Sequence, residues 1–208
     1  MTAAMRIGLG FVVAMCLVSS AAQAAPLTVV TVGAPAVNCV FNTTCKVTVT
    51  DSVGDITLPG TADKGRLQSR TYVGAAGAPG AGKTAYEYRV DLTQVKSLTA
   101  VPCVTSLRID FGPVTKLNYN KVGPLDDVFV VTSGGLGTIG LSGADKVGNV
   151  ITFTFASPIC GGSGGPAGGQ TSFFFGLAAA KAPKAITAQV FVTPGGGLVS
   201  VPARVPTH

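Results

Sequence analysis

Between residues 83 and 92 the chain alternates strictly. Thr84, Tyr86, Tyr88, Val90 and Leu92 fall on one side of an extended backbone, and Lys83, Ala85, Glu87, Arg89 and Asp91 on the other. A period of two predicts a strand with one face buried and a charged face in water. The same rhythm recurs at 45–50 (Val47 and Val49 against Lys46, Thr48 and Thr50), at 104–111 (Leu107, Ile109, Phe111), at 149–155 (Ile151, Phe153, Phe155) and at 185–192 (Ile186, Val190, Val192), and residues 127–132 read as a further strand. Turn-forming residues separate these runs at 53–55, 59–60, 144–149 and 194–195. Beyond residue 24, no segment of ten or more residues carries an amphipathic helical pattern. Short strands punctuated by Gly and Pro predict an all-β fold, a two-sheet antiparallel β-sandwich of immunoglobulin-like or jelly-roll-like topology.

The N-terminus reads differently. Arg6 precedes an apolar run of 12 residues, Ile7–Val18, and Ser19-Ser20-Ala21-Ala22-Gln23-Ala24 supplies small residues for cleavage after Ala24. This is the pattern of an export signal. A membrane span needs about 20 apolar residues, and Met15 stands where a lipoprotein signal at Cys16 would need a small side chain. The expected organisation is a removable signal at 1–24, one sandwich domain at 25–193, and a C-terminal strand or flexible tail at 194–208. The expected location is the periplasm or the cell exterior, with no stable membrane anchor once the signal is removed.

Export changes the meaning of the cysteines. Cys39, Cys45, Cys103 and Cys160 follow the signal, and an even number in an oxidising compartment predicts two disulfides. Three pairings are open; a short Cys39–Cys45 clip with a long-range Cys103–Cys160 bond is the expected one. Zinc would require closely spaced Cys pairs, which the sequence lacks.

Composition narrows the chemistry. Of 208 residues 28 are Gly and 13 Pro, 47% are hydrophobic, and only 12% are charged. That is ample apolar material for a core and excludes a disordered chain. Tryptophan is absent and the only histidine is His208, which excludes histidine-pair catalysis and histidine-rich metal sites. After signal removal 14 basic and 9 acidic residues remain, a net charge of +5 with no basic cluster. A nucleic-acid partner is therefore not expected.

Three glycine-rich segments imitate catalytic motifs. Gly77–Thr84 fits the phosphate-loop spacing G-x-x-x-x-G-K-[ST], but that loop must open a helix, and here the clearest strand follows. Gly135–Gly140 fits G-x-G-x-x-G, yet no acid lies beyond Asp145 to hold a ribose. No nucleotide partner is expected. Cys160–Pro166 resembles the segment around the serine nucleophile of trypsin-like proteases, with Gly162 in place of that family's acid. A serine nucleophile needs a base within reach, and no histidine precedes it.

Two other segments carry candidate binding chemistry. Asn118–Asp127 resembles the calcium loops of β-propeller and adhesin repeats. Asn118, Asn120 and Asp126 stand at ligand positions and Gly123 at the turn, whereas Val122 replaces a central ligand. An Asx-rich turn is the plainer reading. Phe173, Phe174 and Phe175 form an aromatic run in which Phe174 should face away from its neighbours. Burial of at least two of them in the core is the expected arrangement; the alternative is that one face is exposed and, with Tyr86 and Tyr88, makes a candidate interaction patch. Asn42-Thr43-Thr44 is a glycosylation acceptor sequence and marks an exposed loop. The expected function is a non-catalytic exported sandwich with a structural or protein-interaction role and no cofactor. The alternative is a secreted glycan-binding module stacking sugars on exposed tyrosines, assisted by calcium. A paired-carboxylate glycosidase is a third class, weakened because Glu87 is the sole glutamate.

Overall fold

In the computed structural model, which describes residues 23–96, 101–162 and 168–208, the chain is almost entirely β. Its elements are β1 (Ala25–Pro26), β2 (Val29–Gly33), α1 (Ala34–Phe41), β3 (Thr50–Thr57), β4 (Lys64–Val73), β5 (Thr84–Asp91), β6 (Cys103–Asp110), β7 (Val128–Ser133), β8 (Leu141–Val147), β9 (Val150–Cys160), β10 (Phe174–Ala179), β11 (Pro183–Thr193) and β12 (Gly197–Pro206). They form two six-stranded sheets of order β1-β8-β9-β6-β11-β12 and β2-β7-β10-β5-β4-β3. The expected signal sequence lies outside the described residues, apart from its last two positions.

The two-sheet sandwich expected from the alternation is the fold. One pair departs from the antiparallel rule: β2 runs parallel to β7. The chain reaches it by passing from β1, on the edge of the first sheet, to β2, on the edge of the second. The interior between the sheets is filled by the faces that alternation assigns inward, with Leu107, Ile109 and Phe111 meeting Ile151, Phe153, Phe175, Val190 and Val192. Tyr86 and Tyr88 belong to this core and keep their hydroxyls satisfied at its rim. Tyr86 donates to the Lys181 carbonyl and Tyr88 to the Arg204 carbonyl, both at 2.7 Å.

Local boundaries differ from the sequence reading at two places, each for a packing reason. Val53-Gly54-Asp55, expected as a turn, is the middle of β3, and the strand expected at 45–50 begins only at Thr50. Gly54 is there because Pro202 of β12 abuts it so closely that a Cβ would strike the proline backbone; it marks a close approach between the sheets. Residues 144–147, also expected as turn, complete β8, and the reversal into β9 takes only Gly148 and Asn149. Gly148 adopts φ 57°, the left-handed conformation such a two-residue hairpin requires.

Both disulfides form as expected. Cys103 and Cys160 are direct cross-strand partners of β6 and β9. Cys39–Cys45 ties α1 to the chain that leaves it.

Candidate binding cleft

Part of the second sheet's outer face is not in water. A helix of only eight residues, α1, begins with a proline in its first turn and buries Val37, Val40 and Phe41, the i, i+3, i+4 spacing of a single apolar stripe. These residues form a second, smaller core with Tyr72, Ala85, Tyr119, Phe129 and Phe174 on the outside of the sheet. Phe41 meets Tyr72 edge-on at 5.2 Å between ring centres, and Tyr119 lies 4.7 Å from Phe129. The consequence reverses the expectation for β5. Its supposedly solvated face is covered, Ala85 is wholly buried, and Glu87 is only 4% exposed.

Glu87 sits in a cross-strand row: Asp51 of β3 opposes Arg70 of β4, Arg70 opposes Glu87, and Glu87 opposes Gly176 of β10. Tyr72 donates to Glu87 Oε1 at 2.7 Å. Arg70 is turned the other way. Its Nε bonds Asp51 Oδ1 at 3.1 Å, its guanidinium lies 4.4 Å from the centre of the Phe174 ring, and Gln68 adds a bond to the same Asp51 oxygen. Arg89 also lies over Phe174, at 5.4 Å, and is paired with Asp91 at 3.1 Å. Each arginine thus has its own aspartate.

Burial pushes the Glu87 carboxyl up to about 6, against the opposing pulls of the Tyr72 hydrogen bond and the Arg70 charge. Burial, reinforced by the Glu87 charge, raises the Tyr72 phenol well above its ordinary value. At neutral pH the pair is therefore a carboxylate accepting from a fully protonated phenol.

Above this row lies a cleft of about 380 Å³. Its floor is Arg70, Tyr72, Glu87, Val131 and Phe174; α1 and the segment after it, including Val37, Asn38, Val47 and Val49, form one wall, and Gly134, Gly135 and Leu136 form the other. The lips are apolar and open, with Val49 37% and Leu136 58% exposed. Leu136 lies within the G-x-G-x-x-G look-alike. Gly134, just before it, turns the chain at φ 68°, and Gly137 of the look-alike, also at positive φ, presses on the Ser172 carbonyl where no Cβ would fit. That segment shapes a lip of the cleft.

The expected site residues fare unevenly. Of the aromatic patch, Tyr86, Tyr88 and Phe175 are in the inner core and Phe173 packs half-buried against it. Only Phe174, facing the other way as alternation requires, reaches the cleft. The expected burial is therefore what occurs, and no exposed aromatic patch forms, because these side chains lie on both sides of the sheet and are covered on each. All four tyrosines are at most 3% exposed, so none presents a ring to a sugar.

In the 118–127 loop, Asn120 Oδ1 accepts from the Val122 amide, and Asn118 donates to the Gly123 carbonyl at 3.4 Å. These are the bonds of an Asx-rich turn. Leu117 and Asp126 are hydrogen-bonded partners across the turn, so the Asp126 side chain shares the face of Leu117. Of the three expected calcium ligands, Asn120 is engaged in its own turn, while Asn118 Oδ1 and Asp126 Oδ2 are sealed from solvent without a hydrogen-bond partner among the described residues. Asp127 holds the Thr28 amide at 2.9 Å and Lys116 at 3.1 Å, a structural tie between β2 and the start of β7.

The phosphate-loop look-alike leads into β5 and not into a helix, and its Gly80 lies directly under the Phe41 ring. The protease-like segment has its serine outside the described residues.

Sequence reasoning gives Arg70, Asn38 and Leu136 no part in a site and offers Tyr72 only as one of the tyrosines for stacking on sugars. Two signals point to the cleft: the Val37/Val40/Phe41 stripe, shorter than a ten-residue helical pattern, and a lone glutamate in the centre of the best strand. No protein-family model, curated protein or solved structure matches this chain. The two disulfides indicate an oxidising environment, and no described helix is long and apolar enough to cross a membrane.

Proposed function

We propose that the protein is an exported, non-catalytic β-sandwich with a protein-interaction role, and that the partner docks over the cleft beside α1. The observation that carries this reading is the pairing of open apolar lips, Val49 and Leu136, with a floor of polar groups, the buried Glu87 and Tyr72 and the half-buried Arg70. Apolar contact with a few placed polar groups is the usual make-up of a recognition site. Burial of every tyrosine weighs against the glycan-stacking alternative.

A photo-crosslinking residue placed at Leu136 and at Val49, one at a time in the producing cell, tests the reading. Leu198, 52% exposed on β12 of the other sheet, is the control position. Both lip positions should yield the same discrete adduct and position 198 none. Absence of an adduct from both lips, or an identical adduct from all three positions, overturns the proposal.

A further inference from the structure

Glu87 leaves an electrostatic requirement in this cleft that no described residue meets. Its Oε1 accepts from Tyr72. Its Oε2 takes no hydrogen bond from any described residue, and it is not one of the oxygens sealed from solvent without a partner, which are Asn118 Oδ1, Tyr119 OH and Asp126 Oδ2. Oε2 therefore opens on the cleft that Glu87 lines. No described cation lies within 4.0 Å of the carboxylate, although Arg70 is its cross-strand neighbour. Arg70 spends its Nε on Asp51 and its face on Phe174, and Arg89 is held by Asp91. Of the five charged groups around the floor (Asp51, Arg70, Glu87, Arg89 and Asp91), four cancel as two pairs, and the excess negative charge belongs to Glu87.

We infer that the cleft receives a primary ammonium group on an apolar stem, a lysine side chain of the protein partner. This rests on the docking reading above and names the chemistry at its centre. The methylene stem lies between Val37, Val47 and the lip residues Val49 and Leu136, and the ammonium donates to Glu87 Oε2. A buried carboxylate repays its desolvation best through a charged, hydrogen-bonding partner. An anionic group would meet Glu87 head-on and find both guanidiniums already occupied. A wholly apolar side chain would seal Oε2 away from water with nothing to bond it.

The probe is Nα-acetyl-lysine amide, titrated into the isotope-labelled exported chain at about pH 7.5 and followed through the methyl resonances of Val37, Val47, Val49 and Leu136. Nα-acetyl-norleucine amide, which keeps the stem and lacks the ammonium, is the comparison. Saturable shifts confined to these methyls are expected for lysine, with affinity at least about tenfold weaker for norleucine and for E87Q. Lysine binding to the unaltered chain should also weaken about tenfold near pH 5, where Glu87 is protonated. This arm needs no variant to fold. Equal binding of the two probes, binding by E87Q at undiminished affinity, or no response of the cleft methyls to lysine overturns the inference. If the lips still crosslink to a partner while lysine fails here, the docking site stands and its ammonium chemistry does not.

Discussion

Replacing Glu87 by Gln should remove most of one pH dependence of stability. The carboxyl is buried, and its proton is held to about 6 in the folded chain against an ordinary 4.5. A carboxyl that holds its proton more tightly when folded makes the native state bind protons in excess between those two values. Stability is then greatest below about pH 4.5 and falls as pH rises through about 6. The gap is worth about 2 kcal/mol at neutral pH, or roughly 4–8 °C in Tm for a domain of this size. Gln keeps an oxygen for the Tyr72 hydroxyl but cannot ionise. Absolute stability of the variant also depends on where its amide NH₂ finds a partner, so the informative quantity is the difference between two pH profiles. Other titrating groups, such as Asp126 with its carboxyl raised by burial, are common to both proteins and cancel. With no tryptophan and four buried tyrosines, urea unfolding can be followed by tyrosine fluorescence at several pH values between about 4 and 7.5. The native chain should lose about 2 kcal/mol relative to E87Q across that interval. Parallel profiles would mean that Glu87 titrates as a solvated carboxyl and that α1 does not cover this face.

Four further outcomes follow from the same geometry. Arg70→Ala should cost about 1 kcal/mol, from the Asp51 pair and the stacking on Phe174; it should also move the Glu87 midpoint above about 6 in a carboxyl NMR titration, because Arg70 pulls that value down. Gly176→Ala should cost about 2–3 kcal/mol in urea unfolding, since its Cβ would strike the Tyr86 carbonyl and the Phe129 ring, whereas Gly143→Ala, with open space around it, should stay within about 1 kcal/mol of the parent. Replacing Cys103 and Cys160 by Ser should cost about 4 kcal/mol through the freed 57-residue separation, and replacing Cys39 and Cys45 about 2 kcal/mol, with non-reducing peptide maps of the parent showing only these two pairings. Added calcium or a chelator should leave Tm unchanged, because Asn120 Oδ1 and the Asn118 amide are already committed to bonds within the turn; a calcium-dependent rise would overturn that account of the loop.

Most of the sandwich could be read from alternation, because an inner face must be continuously apolar over a whole strand. Leu107, Ile109 and Phe111, or Ile151, Phe153 and Phe155, leave no other register that buries them. The parallel placement of β2 could not be read this way. Val29–Gly33 is apolar enough to be a strand, but its direction is decided by which edge of which sheet is left open, a property of the whole assembly. Gly54 and Gly148 show the same limit at single residues. Both look like turn formers, and only the nearness of Pro202 makes the first a strand residue, while the second closes a tight hairpin.

The cleft was hidden for a different reason. The polar face of β5 reads as solvated on the rule that charged residues go to water, and that rule holds only where nothing else covers the sheet. A single turn of α1 carries three apolar side chains, too few to register as a periodic helix. Yet a sheet's outer face needs only a short lid when the Cys39–Cys45 bond pins its far end and Phe41, Tyr72, Tyr119 and Phe129 fill the space beneath. Once the lid is in place, a charge tolerable on an open strand becomes a charge that must be matched. Arg70 is matched by Asp51 on the neighbouring strand and Arg89 by Asp91 on its own; among the described residues Glu87 is matched by a neutral phenol alone. The residue that contradicts the alternation rule is thus the one whose electrostatic needs the fold leaves open, and it is there that a partner has most to contribute.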